Sequence, residues 1–363
     1  MARQKSRVNR QIPVRKFIEL INYLEKVGLD SAEALEHAEL SKADLQNTNG
    51  RTQLPVMDYS RLYGVAVKQM QSLNIPLPWA AGVGSDAFEL MCHSIISCKT
   101  LGEALERASR FDHLLYPLLG YRITLTKRDS TFELRYSVKT DISKSSFAPE
   151  SWEWSEHFET VSHISGLMVW FKFASWLIGH AIELDEVTVA YPSVSPTYDA
   201  KLTDIFESPV KFDASACSFS APIDFLSHRL VHNPESLTQL LNNSVYELTA
   251  DIDERRSTTN AIRSLISRDI EQTIPSFAQM ADYLHCSESS LRRKLLGEDT
   301  SYQQIKDELR CEIAMEQLRH GETSVKELAR LLHFSEAGSF NRSFKNWVGM
   351  TPKEYMEEIQ KNH

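Results

Sequence analysis

SFAQMADYLHCSESSLRRKLLG (residues 276–297) and SVKELARLLHFSEAGSFNRSFK (residues 324–345) are two copies of one pattern. Phe277, Met280, Ala281, Leu284, His285 and Ser287 recur as Val325, Leu328, Ala329, Leu332, His333 and Ser335 at an offset of 48. After a one-residue slip, Leu291, Arg293 and Leu295 recur as Phe340, Arg342 and Phe344 at an offset of 49. The apolar spacing is helical on both sides of a break, so each copy is predicted to be a short helix, a three-residue turn and a second helix. The small Ala281 and Ala329 let the paired helices approach closely. Four capping boxes, Ser276–Gln279, Ser301–Gln304, Ser324–Glu327 and Thr351–Glu354, mark helix starts in this stretch. So many starts in so short a span predict a bundle of small helices.

A helix hairpin of an ordinary bundle has the same apolar spacing. Two aligned copies favour a helix-turn-helix, whose second helix enters a DNA major groove. On that placement the first recognition helix, Glu288 to Leu296, exposes Ser289, Arg292 and Arg293, and the second, Glu336 to Trp347, exposes Ala337, Gly338, Asn341 and Arg342. Arginine matches guanine and asparagine matches adenine through paired hydrogen bonds; Lys294 and Lys345 suit phosphates better. His285 and His333 sit in the turns, where a left-handed residue is needed and histidine is one of the tolerated types. A metal-binding role for these histidines is disfavoured, since no carboxylate or cysteine stands at ligand spacing in both copies. Tyr302 to Arg319 reads as a helix joining the copies. Its eighteen residues span about 27 Å, which makes recognition helices one DNA turn apart feasible.

The net charge of −9, from 40 basic and 49 acidic residues, gives this no support by itself. Residues 251–363 are no more basic, with 16 Lys and Arg against 19 Asp and Glu. Binding to a polyanion therefore has to rest on local geometry, and Arg292-Arg293-Lys294 has no acid between Glu288 and Glu298.

Upstream the period changes. Phe17, Ile18, Ile21 and Leu24 predict a helix ending at Gly28, and Thr100–Glu103 caps another that reaches Leu115. Tyr121, Ile123, Leu125 and Phe132, Leu134, Tyr136 alternate about a Lys127–Ser130 turn, a hairpin. A long helix over 155–182, a strand at Val187–Tyr191, a helix over Pro196–Phe206 and short strands near Val210–Phe212 and Ser218–Ser220 follow. The expected fold is an α+β N-terminal sensor domain followed by an all-α domain with two helix-turn-helix units joined by a long helix. The expected divisions are a basic tail at 1–14, the α+β domain at 15–231, a helical linker region at 232–258 and the DNA-binding domain at 259–363.

Residues 260–358 resemble the DNA-binding domain of AraC/XylS-type transcriptional regulators. The likeness is carried by Phe277-Ala-Gln-Met-Ala-Asp-Tyr-Leu, Ser287-x3-Leu291-x-Arg293, Arg310-x3-Ala314-x3-Leu318 and Ser324-Val-Lys-Glu-Leu-Ala329. Its longest part is Phe334-Ser-x4-Phe340-x-Arg342-x-Phe344-Lys345-x3-Gly349-x2-Pro352-x2-Tyr355. Family members usually carry Gly where His333 stands and a larger residue where Gly338 stands. Lys99-Thr-Leu-Gly-Glu-Ala-Leu-Glu-Arg107, Pro196-x-Tyr-x4-Leu-x2-Ile-Phe206 and Pro209-Val-x-Phe212 resemble the "arabinose-binding" type sensor domain of the ornithine-utilisation-regulator-like branch. The resemblance implies a transcription regulator, an activator type, with double-stranded DNA and RNA polymerase as partners and homodimers as the working form.

Sugars are gripped by stacked aromatics with convergent polar groups, and no such set is readable here, so arabinose does not follow from the domain's label. Trp152, Trp154, Phe158, Trp170, Phe171, Phe173 and Trp176 cluster within 25 residues. They build either core or a binding box, core being the favoured reading. The N-terminal domain is thus expected to sense a small intracellular effector, or alternatively to be a dimerisation or protein-partner module with none. The effector-binding residues are not readable.

No enzyme is expected. A nucleophile elbow, phosphate loop, HExxH and CxxC are all lacking, and none of the five cysteines has the Pro-Cys-His/Arg context of an alkyl acceptor. Neither a cofactor nor a metal is expected, a Cys92-His93-Cys98 site being disfavoured by its amphipathic helical spacing. Five scattered cysteines point to a reducing, cytoplasmic setting. The longest apolar run, Gly166–Gly179, is interrupted by Lys172 and is shorter than the roughly 20 residues of a membrane span, so no membrane partner is expected.

Overall fold

The computed structural model describes residues 11–46, 53–73, 77, 80–139, 157–242, 244, 248, 258–269, 274–320 and 324–361. The chain divides into two units. One comprises Met1–Leu177, Ala181–Leu230 and Pro234–Glu254; the other comprises Ile178–His180, Val231–Asn233 and Arg255–His363.

The first unit starts on a two-stranded ribbon, β1 (Gln11–Pro13) antiparallel to β2 (Gln53–Pro55). Helix α1 (Val14–Lys26) buries Val14, Phe17, Leu20, Ile21 and Leu24 and stops at Gly28, whose φ is +82°. The expected tail over 1–14 therefore does not hold for its last four residues: Gln11 to Pro13 gain a strand partner and Val14 gains the core. Asp30 caps α2 (Ser31–His37) by accepting from the amides of Ala32 and Glu33. Helices α3 (Lys42–Gln46) and α4 (Val56–Ser72) follow, and α4 packs on α1 and α2.

Helix α5 (Asp86–Ile95) is capped by Ser85, and α6 (Leu101–Leu119) by Thr100. The reciprocal reach of Glu103 goes to the amide of Lys99 at 2.9 Å. Strands β3 (Tyr121–Lys127) and β4 (Thr131–Val138) form the expected hairpin, with Ile123 opposite Tyr136. Three more strands complete a five-stranded sheet: β5 (Glu186–Thr188), β6 (Val210–Lys211) and β7 (Ser218–Pro222), in the order β3-β4-β7-β5-β6. All neighbours are antiparallel except β5 and β6, which are joined through helix α8 (Pro196–Phe206). Alternation assigns the faces. Phe132, Leu134 and Tyr136 of β4 are buried with Ile123, Val187, Phe219 and Ala221, while Arg135 is exposed. Helices α6 and α7 (Phe158–Leu177) pack on the sheet.

The aromatic cluster resolves toward core. Trp170, Phe171 and Phe173 are each 1% exposed. Phe171 meets Phe206 and Phe219 with ring centres 5.3 and 5.9 Å apart, and Trp176 stacks on Phe173. Trp152 and Trp154 lie outside the described residues. Helix α9 (Pro234–Asn242) buries Leu237 and Leu240 and belongs to the first unit. Of the helical linker expected over 232–258, this helix is the described part that packs with the first unit. The polar Asp251–Ser257 stretch lies outside the described residues.

In the second unit, seven helices are present among the described residues: α10 (Thr258–Asp269), α11 (Phe277–Tyr283), α12 (Glu288–Gly297), α13 (Tyr302–His320), α14 (Val325–Leu331), α15 (Ala337–Val348) and α16 (Pro352–Lys361). They fold around two cores. Ala261, Ile262, Leu265, Met280, Ala281, Leu291, Leu295, Ile305 and Leu309 build one, joined by Val231. Ala314, Leu318, Leu328, Ala329, Leu332, Phe340 and Phe344 build the other. No helix among the described residues is long and apolar enough to cross a membrane.

Asp112 of α6 is 2% exposed, and its Oδ2 accepts from the amide of Ile123 at 3.1 Å. Burial pushes its pKa up to about 7 from an ordinary 3.8. A carboxyl whose folded pKa is raised stabilises the fold fully below its unfolded pKa, and that contribution is lost as pH rises through the folded one, roughly 4 kcal/mol in all. Asp112→Asn keeps an oxygen for Ile123 and removes the titration. Melting temperatures of the two proteins should therefore diverge between pH 4 and 8, with the variant gaining steadily on the wild type. Parallel curves would contradict this assignment.

Candidate nucleic-acid interface

The two repeats fold to the same local geometry. In the first, the His285 amide donates to the Asp282 carbonyl and the Cys286 amide to the Ala281 carbonyl, closing α11 with His285 at φ +47°. In the second, His333 donates to Arg330 and Phe334 to Ala329, with His333 at φ +58°. A left-handed residue at the helix end lets the chain reverse while the last carbonyls keep donors. Ala281 and Ala329 are each 2% exposed. Burial lowers the His285 pKa, which favours its neutral form at pH 7.

Capping fixes where the helices begin. Ser276 with Gln279, and Ser324 with Glu327, form complete capping boxes at α11 and α14. Hydrogen bonds from Ser324, foremost that of its hydroxyl, hold the Glu327 carboxyl below the usual carboxylate range. Gln304 donates its amide to the Ser301 hydroxyl at 3.3 Å, and Thr351 and Glu354 exchange bonds before α16. Ser287 caps the first recognition helix, α12, by accepting from Ser290.

The second helix of each repeat has one apolar side and one free side. On α12, Leu291 and Leu295 are buried, whereas Ser289, Arg292, Arg293 and Lys294 are exposed. The Arg292 guanidinium lies over the Phe277 ring at 5.3 Å, and among the described residues none of these three cations makes an ion pair. On α15, Phe340 and Phe344 are buried, Gly338, Asn341, Arg342 and Lys345 are exposed, and Ala337 is half-buried. Arg342 is tied within its own helix. Its Nη2 donates to Ser339 Oγ at 3.2 Å and lies 3.6 Å from Glu336 Oε1.

Helix α13 sets the distance between these two surfaces. Ile305 and Leu309 belong to the first core, Ala314 and Leu318 to the second, and Ile313 packs against both. Nineteen residues give it a length of about 28 Å. Arg310 reinforces the second end by lying over the Phe334 ring at 4.9 Å, and its burial lowers its pKa.

Two features carry no sequence signal at the distances involved. Glu298, just after α12, accepts from the amides of Thr258 and Thr259 at 2.7 and 3.1 Å and so caps α10 from 40 residues away. The Glu336–Ser339–Arg342 chain is the other; Glu336 aligns with Glu288 of the first repeat, so the acid by itself does not mark it.

A left-handed site penalises a β-branched side chain far more than glycine. His333→Val should melt below His333→Gly by the equivalent of about 1–2 kcal/mol. Equal melting temperatures would mean that the backbone relaxes out of the left-handed region.

Residues 28–230 match the family described as the arabinose-binding domain of AraC transcription regulator, and residues 280–358 match a helix-turn-helix domain. The ornithine utilization regulator of Pseudomonas aeruginosa is 25% identical over 348 residues, covering 95% of this chain and 96% of that one. The HTH-type transcriptional regulator VqsM of the same organism is 28% identical over 222 residues, 61% of this chain and 66% of its own. The crystal structure of the regulator CdpR, also from Pseudomonas aeruginosa, aligns over 94% of this chain and 98% of that one at 19% identity and a TM-score of 0.31, a likeness too distant to argue from. The chain belongs to the AraC family of transcription regulators, with an N-terminal ligand-binding domain and a C-terminal helix-turn-helix DNA-binding domain.

Proposed function

We propose that α12 and α15 enter successive major grooves on one face of the DNA and read one half-site each. The observation that carries this reading is the duplicated turn geometry on either side of a single bracing helix. Arg293 and Arg342 stand at equivalent repeat positions and are exposed, and each is assigned a guanine. Asn341 is assigned an adenine; Ser289, Ala337 and Gly338 line the groove-facing surface; Arg292, Lys294 and Lys345 neutralise phosphates. His285 and His333 act as backbone hinges of the turns.

The N-terminal domain is assigned a small-molecule effector, with homodimerisation as its second task. Support comes from the family match over residues 28–230. A groove of about 340 Å³ lined by His37, Val65, Lys68, Gln69 and Ser72 is open and shallow, and we assign it no ligand. The alternative, a partner-binding module without an effector, draws on the dense packing of Trp170, Phe171 and Phe173. The matched relatives are regulators, which supports a non-catalytic, cytoplasmic protein that contacts RNA polymerase as an activator.

The test is selection of sheared genomic DNA by the full-length protein at moderate salt, beside Arg293→Ala and Arg342→Ala. Two short motifs about one helical turn apart should emerge. Each variant should lose roughly 1–3 kcal/mol of affinity and relax preference at one base position. Binding should weaken with salt according to the phosphates neutralised. Unchanged preference in either variant, or a flat salt response, would contradict the docking.

A further inference from the structure

The cap of the second recognition helix departs from the others in a way that bears on what that helix reads. Ser276, Ser287 and Ser324 each accept a backbone amide at the start of their helices. Glu336 occupies the same cap position before α15 and makes no side-chain cap bond. Its carboxylate turns along the helix instead. Ser339 Oγ donates to Glu336 Oε1 at 3.3 Å, Arg342 Nη2 donates to Ser339 Oγ at 3.2 Å, and the charges stand 3.6 Å apart.

The ion pair is solvent-exposed, with Glu336 and Arg342 side chains 65% and 74% accessible. Such a pair contributes little to stability, so its geometry is better explained by what it presents than by what it holds together. What it presents is a carboxylate in front of a bare stretch. Ala337 and Gly338 follow it, and a Cβ at Gly338 would have Glu336 Oε1 as its nearest neighbour, at 3.7 Å. The leading edge of α15 therefore offers one acceptor-only group, Glu336, beside one donor-only group, Arg342. The corresponding edge of α12 also carries an exposed carboxylate, Glu288, but there Arg292, Arg293 and Lys294 make no ion pair among the described residues.

A carboxylate on a groove-facing edge repels phosphate oxygens and has one favourable partner among major-groove base edges, the amino group of cytosine. We propose that Glu336 is a specificity-determining residue: it accepts from a cytosine amino group next to the guanine read by Arg342, it positions the Arg342 guanidinium through Ser339, and it penalises DNA that offers only phosphates. This rests on the groove-reading assignment of α15 made above. The two repeats then divide the work. The first supplies electrostatic affinity, and the second withholds affinity from sites lacking the cytosine donor.

The experiment is base-by-base selection from a randomised duplex library with full-length wild type, Glu336→Gln, Glu336→Ser and Arg342→Ala, together with Kd values on a random duplex. Wild type should prefer cytosine at one position of the second motif by about fivefold or more. Glu336→Gln should move that preference toward adenine, the base a carboxamide matches. Glu336→Ser should erase it while tightening random-duplex binding severalfold. Melting curves separate this from capping: serine restores an amide acceptor and should raise the melting temperature, but a capping role alone leaves every base preference where it was. If Arg342→Ala alters a neighbouring position while both Glu336 variants keep the wild-type preferences, the role given to Glu336 is wrong and the groove reading of α15 stands. If wild type and all variants select nothing in the second motif, both are wrong.

Discussion

The division of one helix between two cores is the constraint on which the DNA-binding half depends. Helix α13 gives Ile305 and Leu309 to one core and Ala314 and Leu318 to the other, with Ile313 against both. Each helix-turn-helix is too small to bury an adequate core alone, and leaning on a shared helix solves this for both. The consequence is geometric. A packed helix has a fixed rise and a fixed angular relation between its ends, so the two recognition helices inherit their spacing from side-chain packing. Loop length plays no part in it.

Charge follows a different logic from spacing. The chain is acidic overall, and so is its C-terminal third. An acidic body disfavours indiscriminate contact with a polyanion, and the proposed docking assigns affinity to a few exposed cations on two helix faces. These are unequal. Among the described residues Arg292, Arg293 and Lys294 stand together without an ion pair, whereas Arg342 is linked through Ser339 to Glu336. On the proposed account the protein separates holding DNA from recognising it, and the inequality of the two repeats is what makes the separation possible.

What the sequence made legible was whatever is encoded locally. The repeat, the left-handed histidines, the Tyr121–Tyr136 hairpin and the capping boxes at Ser276, Ser324 and Thr351 all follow from spacing and residue type within a few positions; at Thr100 and Ser301 the hydroxyl caps but the return bond to the cap amide is absent among the described residues. Nonlocal pairing was not legible. Gln11–Pro13 and Gln53–Pro55 are strands of three residues ending in proline, too short to show an alternation. The insertion of β7 between β4 and β5 is a choice among partners that each strand's own pattern leaves open. Leu237 and Leu240 gave α9 an apolar side, but nothing in the spacing said which core would take it. In the candidate site, Arg293 and Arg342 could be named because the repeat aligns them. Glu336 has no marker of its own, because an acid at a helix start is an ordinary complement to the helix dipole. Its contact with Arg342 depends on side-chain direction, which spacing alone does not give.

Helix α13 fixes the spacing of the two recognition helices, and lengthening the DNA between the motifs probes that spacing. Once the two motifs are known, inserting five base pairs between them moves the second to the opposite face of the duplex, while inserting ten restores the face at a greater distance. A rigid pair of recognition helices within one chain cannot follow either change, so affinity for both inserted sites should fall at least tenfold, to the level of a single motif. Undiminished binding to either insertion would show that the two helices are independently placed, and would contradict the account.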